Sequence, residues 1–459
     1  MWIAAALIAT AAVVVVVASV VPSDRPARRA GSVEVLRLTP ATLPRPVSDV
    51  MRNWKSADDH VHGVQMSGDG RFLLFTSAAN NLVKGDTNRC AVDNTSPAGP
   101  CADAFVRDMT TGSIERVSVS SSGRQGNEVS EGIGISADGR FVTFESNATS
   151  LVPNDKRKCA YLDDILPCRD VFLHDRATGR TTRVSESASG EEANDFSDGG
   201  SMSADGRYIV FNSRASNLVR GDPKVCLPVD STDAPSTSCN DVFLYDRVLR
   251  SLKRVSVPSD GSDSNGGSSD GTISGDGRFV LFSSGANNLT PEKTPGFFIY
   301  EIATGKTTLF KSATQTDGAQ HVKISGDGNT LIYDDNTSAY VYDRISRTTQ
   351  KIPPRFGKQI WALDVSADGR FVAVWSTGAL TRDETHSGDD CYVIDRSKRT
   401  IARFTAGLAT AGLADECWVS SDGRTLAFLT PAGLVLEDAD AKVDVYLRDR
   451  ETGRITLAT

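Results

Sequence analysis

The sequence predicts an all-β protein, a β-propeller of seven four-stranded blades, with an N-terminal apolar helix ahead of it. Three observations support this prediction: a Ser-x-Asp-Gly-Arg phrase that returns along the chain, a second phrase that follows each copy, and an apolar stretch at the N-terminus. Of the 459 residues, 39% are hydrophobic and 24% charged, which is typical of a globular protein with a substantial core.

The N-terminal stretch, residues 3–21, carries no charge. It is long enough to cross a bilayer as a helix, and a secretory signal is the other interpretation. Arg25, Arg28 and Arg29 follow it, which by the positive-inside rule favours a cytoplasmic body. The cysteines favour export, and large domains translocate regardless of flanking charge. We therefore expect a signal peptide or membrane anchor (1–30), a linker with room for one strand (31–60) and a propeller (61–459).

The first phrase occurs seven times, each time before an alternating apolar run such as RFLLFTS. Its copies begin at Ser67, Ser136, Ser203, Ser274, Ser325, Ser366 and Ser420. Asp-Gly between two alternating runs is a strong signal for a hairpin, because glycine tolerates positive φ and aspartate caps its own turn. Successive serines lie 69, 67, 71, 51, 41 and 54 residues apart, so the basic unit has about 40 residues and accepts insertions.

The second phrase also occurs seven times, for example as DVFLHDRATGRTTRVSE from Asp170. Its Thr-Gly predicts a second hairpin, which brings each unit to four strands. Four strands at this period are the signature of a propeller. The first strands contain many small residues, as expected where strands crowd a central axis. An open solenoid is the alternative, but nothing in the sequence resembles its capping repeats.

The combined pattern, S-x-D-G-R followed by x-[FY]-x-x-D-R-x-T-G, resembles the TolB-like, WD-like propeller repeats of bacterial exported proteins. The resemblance covers residues 61–459. It implies the propeller architecture and a role in binding other macromolecules. TolB itself has an additional α/β domain, for which residues 31–60 are too few.

The eight cysteines predict disulfides. Three pairs are local and lie in matching insertions between the second and third strands of blades one to three: Cys90 with Cys101, Cys159 with Cys168, and Cys226 with Cys239. An even count in repeated contexts indicates an oxidising, extracytoplasmic compartment. Zinc is the rival, but no C-x-x-C spacing occurs. Cys391 and Cys417 either bridge blades six and seven or are buried thiols.

The predicted topology places the Asp-Gly and Thr-Gly turns on one face and the insertions and inter-blade connections on the other. Because insertions supply variable binding surface, we expect the second face to be functional. The leading hypothesis is a scaffold that binds a protein or polysaccharide there, as a monomer without a required cofactor. A hydrolase or lyase with a metal or carboxylate site at the channel, and a structural cell-surface repeat protein, are the alternatives.

A metal site is a further hypothesis. His60 and His62 lie two apart, so on a strand they point the same way. With Asp58, Asp59 and His321 they form a candidate set for a divalent ion at the channel mouth. Calcium at Asp86, Asn88 and Asp103 is a second candidate site, although a feature repeated in three blades favours a structural role.

Other functions are disfavoured. The sequence contains no P-loop and no H-E-x-x-H, and it has no α/β stretch that would form a fused hydrolase. The net charge of −8 and the scattered basic residues argue against a nucleic-acid partner, because phosphate binding needs a basic face. A membrane partner is expected only through the N-terminal helix, if it is not cleaved.

Overall fold

A computed structural model of the chain describes residues 33–35, 39–40, 61–90, 99–161, 164–221, 240–312, 320–353, 359–381, 390–405, 416–431, 433–435, 438 and 442–459. In these residues seven antiparallel sheets of four strands follow one another along the chain, and each is built from a contiguous segment. The predicted seven-bladed β-propeller is confirmed.

Within each blade the strands follow chain order from the central axis to the rim. The strands outside this pattern are β1 (Val33–Val35), β2 (Thr39–Pro40), β5 (Arg89–Cys90), β6 (Gly99–Pro100), β11 (Lys158–Tyr161) and β12 (Asp164–Pro167). The strands of blades one to four are β3 (Val61–Met66), β4 (Phe72–Ser77), β7 (Asp103–Asp108), β8 (Ile114–Arg116); β9 (Ser130–Ile135), β10 (Phe141–Ser146), β13 (Asp170–Asp175), β14 (Arg180–Arg183); β15 (Ser197–Met202), β16 (Tyr208–Ser213), β17 (Asp241–Asp246), β18 (Ser251–Arg254); and β19 (Ser268–Ile273), β20 (Phe279–Ser284), β21 (Gly296–Glu301), β22 (Lys306–Ser312). The strands of blades five to seven are β23 (Gln320–Ile324), β24 (Thr330–Asp334), β25 (Ala339–Asp343), β26 (Thr348–Ile352); β27 (Ile360–Val365), β28 (Phe371–Ser376), β29 (Asp390–Asp395), β30 (Thr400–Arg403); and β31 (Cys417–Val419), β32 (Thr425–Thr430), β33 (Asp444–Asp449), β34 (Ile455–Leu457).

The core lies between the blades. The second and third strands of each blade are almost fully buried, since neighbouring blades cover both of their faces. In blades one to four a phenylalanine from each of these two strands stacks on its cross-strand partner, as Phe144 does on Phe172 with ring centroids 5.5 Å apart. Cross-strand aromatic pairs of this kind stabilise the sheet and fill the space between blades.

Among the described residues neither blade seven nor blade one contains a strand from the other, and the ring closes by packing between them. An apolar cluster spans the joint, with Val61 and Phe75 on one side and Val445 and Leu447 on the other. A disulfide from Cys391 on β29 to Cys417 on β31 joins blades six and seven. This resolves the choice left open by the sequence in favour of a bridge between blades.

The segment before the first blade adds strands at the rim. β1 pairs in parallel with β26 of blade five, and β2 pairs in parallel with β30 of blade six. Two short strands therefore lie within residues 31–60, and each covers the outer edge of a sheet that would otherwise present unpaired backbone groups. The predicted N-terminal helix lies outside the described residues. In the part of the chain that the structure describes, no helix has the length and apolarity needed to span a bilayer.

Candidate functional site

The face that carries the Asp-Gly turns is uniform. In blade two, Ser136 Oγ donates to Asp138 Oδ1 (2.6 Å) and accepts from the backbone N–H of Phe141 (2.9 Å). Arg140 completes the unit through two bonds to Asp175 on the third strand. The serine–aspartate bond recurs in all seven blades. The repeated phrase is therefore explained by the architecture, and this face offers little that is specific to one blade.

The opposite face carries the insertions of blades one to three, here called the insertion face. Disulfides Cys90–Cys101 and Cys159–Cys168 hold two of these insertions, with Cα atoms 5.0 and 4.9 Å apart, next to the short hairpins β5–β6 and β11–β12. Both predicted pairings are confirmed. The third predicted pair, Cys226 with Cys239, lies outside the described residues. Together with Cys391–Cys417, the described chain contains three disulfides, which indicate an oxidising, extracytoplasmic environment.

Arg116 lies at the predicted calcium site of blade one. Arg116 Nη2 lies 3.0 Å from Asp86 Oδ2, and its Nε lies 3.5 Å from Asp103 Oδ2. Asn88 donates from its amide nitrogen to the same Asp103 carboxylate at 3.2 Å. The guanidinium thus supplies the positive charge that buried carboxylates require. This arrangement fits a structural clasp that ties the insertion to the third and fourth strands.

Blade two contains a more acidic version of this clasp. Asp155, Asp170 and Glu192 are all buried, and their carboxylate oxygens lie within 4.8 Å of one another around Arg183. Burial raises the pKa of Asp170 to about 7 and that of Asp155 to about 6. The single positive charge of Arg183 therefore neutralises only part of the negative charge that three ionised carboxylates would carry. The set of three carboxylates is also compatible with a divalent cation.

The innermost strands begin on the insertion face, where they surround the mouth of the channel. Each of the first six contains an irregularity in its register with the second strand. Freed backbone N–H groups there bond to a polar side chain of the preceding blade. Gly132 N donates to Thr76 Oγ1 (2.9 Å), and Ala362 N donates to Asp334 Oδ2 (3.0 Å). These hydrogen bonds connect neighbouring blades and hold the polar side chains of the mouth in position.

Carboxylates gather at the mouth on blades two to four. Glu131 and Glu145 are direct cross-strand partners, a placement that is unfavourable for like charges. Glu145 is buried and is held by Arg169 Nη1 (2.5 Å) and Gly199 N (2.6 Å). Burial raises the pKa of Glu145 and of Asp198 in the next blade, and neighbouring carboxylates add to both shifts. This side of the mouth is therefore suited to a ligand that carries positive charge.

A histidine and a buried aspartate form a defined pair in blade five. His321 Nδ1 lies 3.1 Å from Asp334 Oδ2, while about half of its side chain is exposed. His321 has φ of +44°, and Asp270 in blade four has φ of +58°. At the same position, four residues before the repeated serine, blade one has Gly63 and blade three has Gly199, both also at positive φ. Larger residues held in this conformation are a sign of functional selection.

The predicted metal set is only partly described. His62 lies on β3 of blade one and His321 on β23 of blade five. Asp58, Asp59 and His60 lie outside the described residues. Within the described ranges neither histidine belongs to a group of three metal-ligating side chains, and such a group is formed instead by the buried acids of blade two. The metal set at the mouth remains a prediction.

Sequence reasoning indicates that the inter-blade segments 123–132, 190–200 and 259–271 are acidic and polar, which suits a polar or cationic ligand, but it singles out none of the acidic residues of the mouth. They are Glu131, Glu145, Asp198, Asp270 and Asp334. A signal for some of them was present, because aligning the repeats on their serines shows Asp270 and His321 where other blades have glycine. The facing position on the second strand, which holds Glu145 and Asp334, reads as an ordinary polar site in an alternating strand.

Comparison with known proteins supports the fold alone. No protein-family model matches the sequence, and no curated protein matches it. The structure is similar to that of an oligogalacturonate lyase from Vibrio parahaemolyticus, with a TM-score of 0.50, 12% identity, and coverage of 86% of this chain and 90% of that one. For an oligogalacturonate lyase in complex with manganese, the TM-score is 0.48 and the identity 13%, with coverage of 93% of this chain and 98% of that one. For the β-propeller domain of Cps50 (Swd1) from Myceliophteria thermophila, the TM-score is 0.44 and the identity 12%, with coverage of 86% of this chain and 99% of that one. By fold, this chain is a seven-bladed β-propeller.

Proposed function

We propose that this chain is an extracytoplasmic scaffold that binds a protein or another macromolecular ligand through its insertion face. The observation that carries the proposal is the contrast between the two faces. The turn face repeats one hydrogen-bonded unit seven times, whereas the insertion face differs from blade to blade and two of its insertions are fixed by disulfides. Differences confined to one face of a rigid scaffold are typical of a binding surface. The resemblance of the repeats to the TolB-like family supports the same function.

Site-specific crosslinking tests this proposal in cells. A photo-crosslinking residue replaces Lys156 or Lys158, both exposed on the insertion of blade two, and in matched controls it replaces Ala177 or Glu451, both exposed at turns of the opposite face. We expect a discrete crosslinked partner from the insertion positions and none from the turn positions. Equal crosslinking from both faces, or crosslinking from the turn face alone, would contradict the proposal.

A second candidate function is a hydrolase or lyase at the channel mouth, and the His321–Asp334 pair favours it. A carboxylate on Nδ1 fixes the orientation and tautomer of a histidine and leaves Nε2 for proton transfer or metal binding. Turnover of polysaccharide and ester substrates is the direct test, with His321→Asn expected to abolish it and Arg347→Asn, at an exposed turn of blade five, as the control. Activity that survives His321→Asn would exclude this site.

A divalent ion is compatible with either function and required by neither, and thermal unfolding tests for it. Zinc, manganese and calcium are added in turn after treatment with EDTA, because an ion that binds the folded state raises the melting temperature. A shift that is lost in His321→Ala places the ion at the mouth. A shift that is lost in Asp155→Asn places it among the buried acids of blade two. No shift with any of the three ions would overturn the metal proposal.

A further inference from the structure

A groove runs along the rim of blade two. Its floor is the outermost strand β14, and its walls come from the connections 117–129 and 184–196 and from the insertion segment 147–157. Its volume is about 550 Å³, within the usual range for ligand sites. Arg157, Arg180, Glu186 and Glu191 are among the residues that line it.

The groove continues toward blade three. A second cleft of about 240 Å³ shares Arg180, Thr182, Arg183 and Glu186 with the first, so the two clefts adjoin along β14. On its far side this cleft is lined by Tyr245, Arg247 and Arg250. Two adjoining open clefts along one strand suit an extended ligand better than a compact one.

Polar side chains dominate the lining of the larger cleft, where the apolar side chains are Val152 and Pro153. Arg157 and Arg180 are exposed, and within the described residues their guanidinium groups have no hydrogen-bond or ion-pair partner. The arginines of the turn phrase differ, since Arg140 and Arg207 are each paired with an aspartate of the third strand. The groove thus holds two guanidinium groups that are available for a ligand.

Acceptors and hydroxyl groups alternate with these guanidinium groups. Glu186 is half-buried and Glu191 is exposed, and the carboxylate of neither has a hydrogen-bond partner in the described part of the chain. The hydroxyl of Thr182 and the amide of Asn154 lie on the same lining. Donors and acceptors spread along one groove match a ligand that presents many hydroxyl groups, each of which both donates and accepts.

The backbone edge of β14 is blocked to strand addition at Thr181. Ser121 Oγ accepts from the N–H of Thr181 (2.9 Å) and donates to its carbonyl (3.1 Å), which satisfies both outward groups of this residue. An extended peptide that binds by adding a strand needs those groups. Recognition in this groove therefore depends on side chains, which favours a carbohydrate over a peptide.

We infer that the rim groove of blade two binds an oligosaccharide that carries carboxylate groups. Arg157 and Arg180 bind the carboxylates through paired N–H donors, a geometry that the planar guanidinium fork favours. Glu186, Glu191, Thr182 and Asn154 bind the sugar hydroxyls. This site goes beyond the proposed function, since it assigns a groove on the outermost strand of blade two, bordered by the insertion, to an acidic oligosaccharide.

Isothermal titration of the purified full-length protein tests the inference. The probes are hexasaccharides of mannuronic acid and of galacturonic acid, neutral cellohexaose, and a hexaglutamate peptide. We expect binding of at least one acidic hexasaccharide, weaker binding of cellohexaose, and a loss of roughly tenfold to a hundredfold in affinity in Arg157→Ala and in Arg180→Ala. Added salt should weaken the same complex, because these charges are exposed.

Arg347→Ala is the matched control, because Arg347 is an exposed arginine at a turn of blade five. Its affinity for the acidic hexasaccharides should equal that of the unmodified protein. The inference is overturned if neither acidic hexasaccharide binds, if cellohexaose or hexaglutamate binds as tightly, or if both arginine variants retain full affinity. Because Arg157 lies between the crosslinking positions Lys156 and Lys158, the two proposals are distinguished by their ligands. A crosslinked protein partner supports the scaffold proposal, whereas binding of a purified acidic hexasaccharide that depends on Arg180 supports the groove, and either result can fail without the other.

Discussion

His321 Nδ1 in blade five lies 3.1 Å from Oδ2 of Asp334, whose side chain is fully buried. Asp334 also accepts a hydrogen bond from the backbone N–H of Ala362 in blade six, so a second bond holds the carboxylate in place besides the one to His321. The hydrogen bond raises the pKa of His321 above its ordinary value of 6.5. A charged His321 at neutral pH would reduce the negative potential of the mouth.

We predict that this pair makes stability depend on pH. Because the folded-state pKa of His321 is raised, its contribution is fully present below pH 6.5 and is lost as the pH rises through the folded-state value. His321→Gln should therefore lower the free energy of unfolding more at pH 6 than at pH 9. In an Asp334→Asn background the substitution should lose this pH dependence. A pKa at or below 6.5 for His321 in an NMR titration would contradict the prediction.

The acidic clasp of blade two should respond to a single change of charge. Between about pH 4 and pH 7 the folded chain holds protons on Asp155 and Asp170 that the unfolded chain has released, so stability falls as the pH rises through this window. Glu192→Gln should flatten this fall and add about 1 kcal/mol at pH 8 relative to pH 5. Denaturant unfolding of the unmodified protein and of Glu192→Gln at the two pH values measures this difference in the free energy of unfolding.

Blade one supplies the control, since Gln125 binds Arg116 where blade two has Glu192 on Arg183. Gln125→Glu should recreate the acidic version and make stability fall more steeply with pH. If Glu192→Gln destabilises the protein equally at both pH values, the balance of charge around Arg183 is not what limits its stability.

The disulfide between blades six and seven should limit local opening. It closes a loop with a sequence separation of 26, and its two cysteines are buried. Replacing both with alanine should cost roughly 3.5 kcal/mol in the chain-entropy model and accelerate hydrogen exchange in β31 and β32. The same change at Cys90 and Cys101 should affect exchange only around the hairpin β5–β6. Unchanged exchange in β31 without Cys391–Cys417 would show that packing alone holds the last blade.

Two turn glycines should differ in their tolerance of alanine. Gly139 and Gly179 have φ of +71° and +69°, so both substitutions introduce strain. A Cβ at Gly139 would overlap the ring of Phe72 from blade one, whereas no atom lies within 4 Å of one at Gly179. We expect a loss of about 1 kcal/mol for Gly179→Ala and about 3 kcal/mol for Gly139→Ala, measured by denaturant unfolding. Equal losses would mean that backbone strain is the whole effect.

The repeated turns made the blades predictable from sequence. The serine, aspartate and glycine of the first phrase act within five residues of one another, as Ser136 does with Asp138 and Phe141. Such local chemistry is visible in a single sequence. The local disulfides were predictable for the same reason, because their contexts repeat along the chain.

The mouth was not predictable because its contacts depend on register and on neighbouring blades. Glu131 faces Glu145 only because the register between β9 and β10 shifts nearby, and Asp334 meets Ala362 across a blade boundary. The bridge from Cys391 to Cys417 likewise joins blades at a separation that no repeat marks. Each contact combines residues that are unremarkable within their own repeat.

The parallel pairing of β1 with β26 and of β2 with β30 has a consequence for biosynthesis. Val33 pairs with Thr349 and Thr39 with Thr400, so each of these early strands emerges more than 300 residues before its partner. At about 5–20 residues per second, the delay is on the order of 15 to 70 seconds. The first segment stays unpaired until β26 and β30 have been synthesised, so its docking can only follow the synthesis of blades five and six.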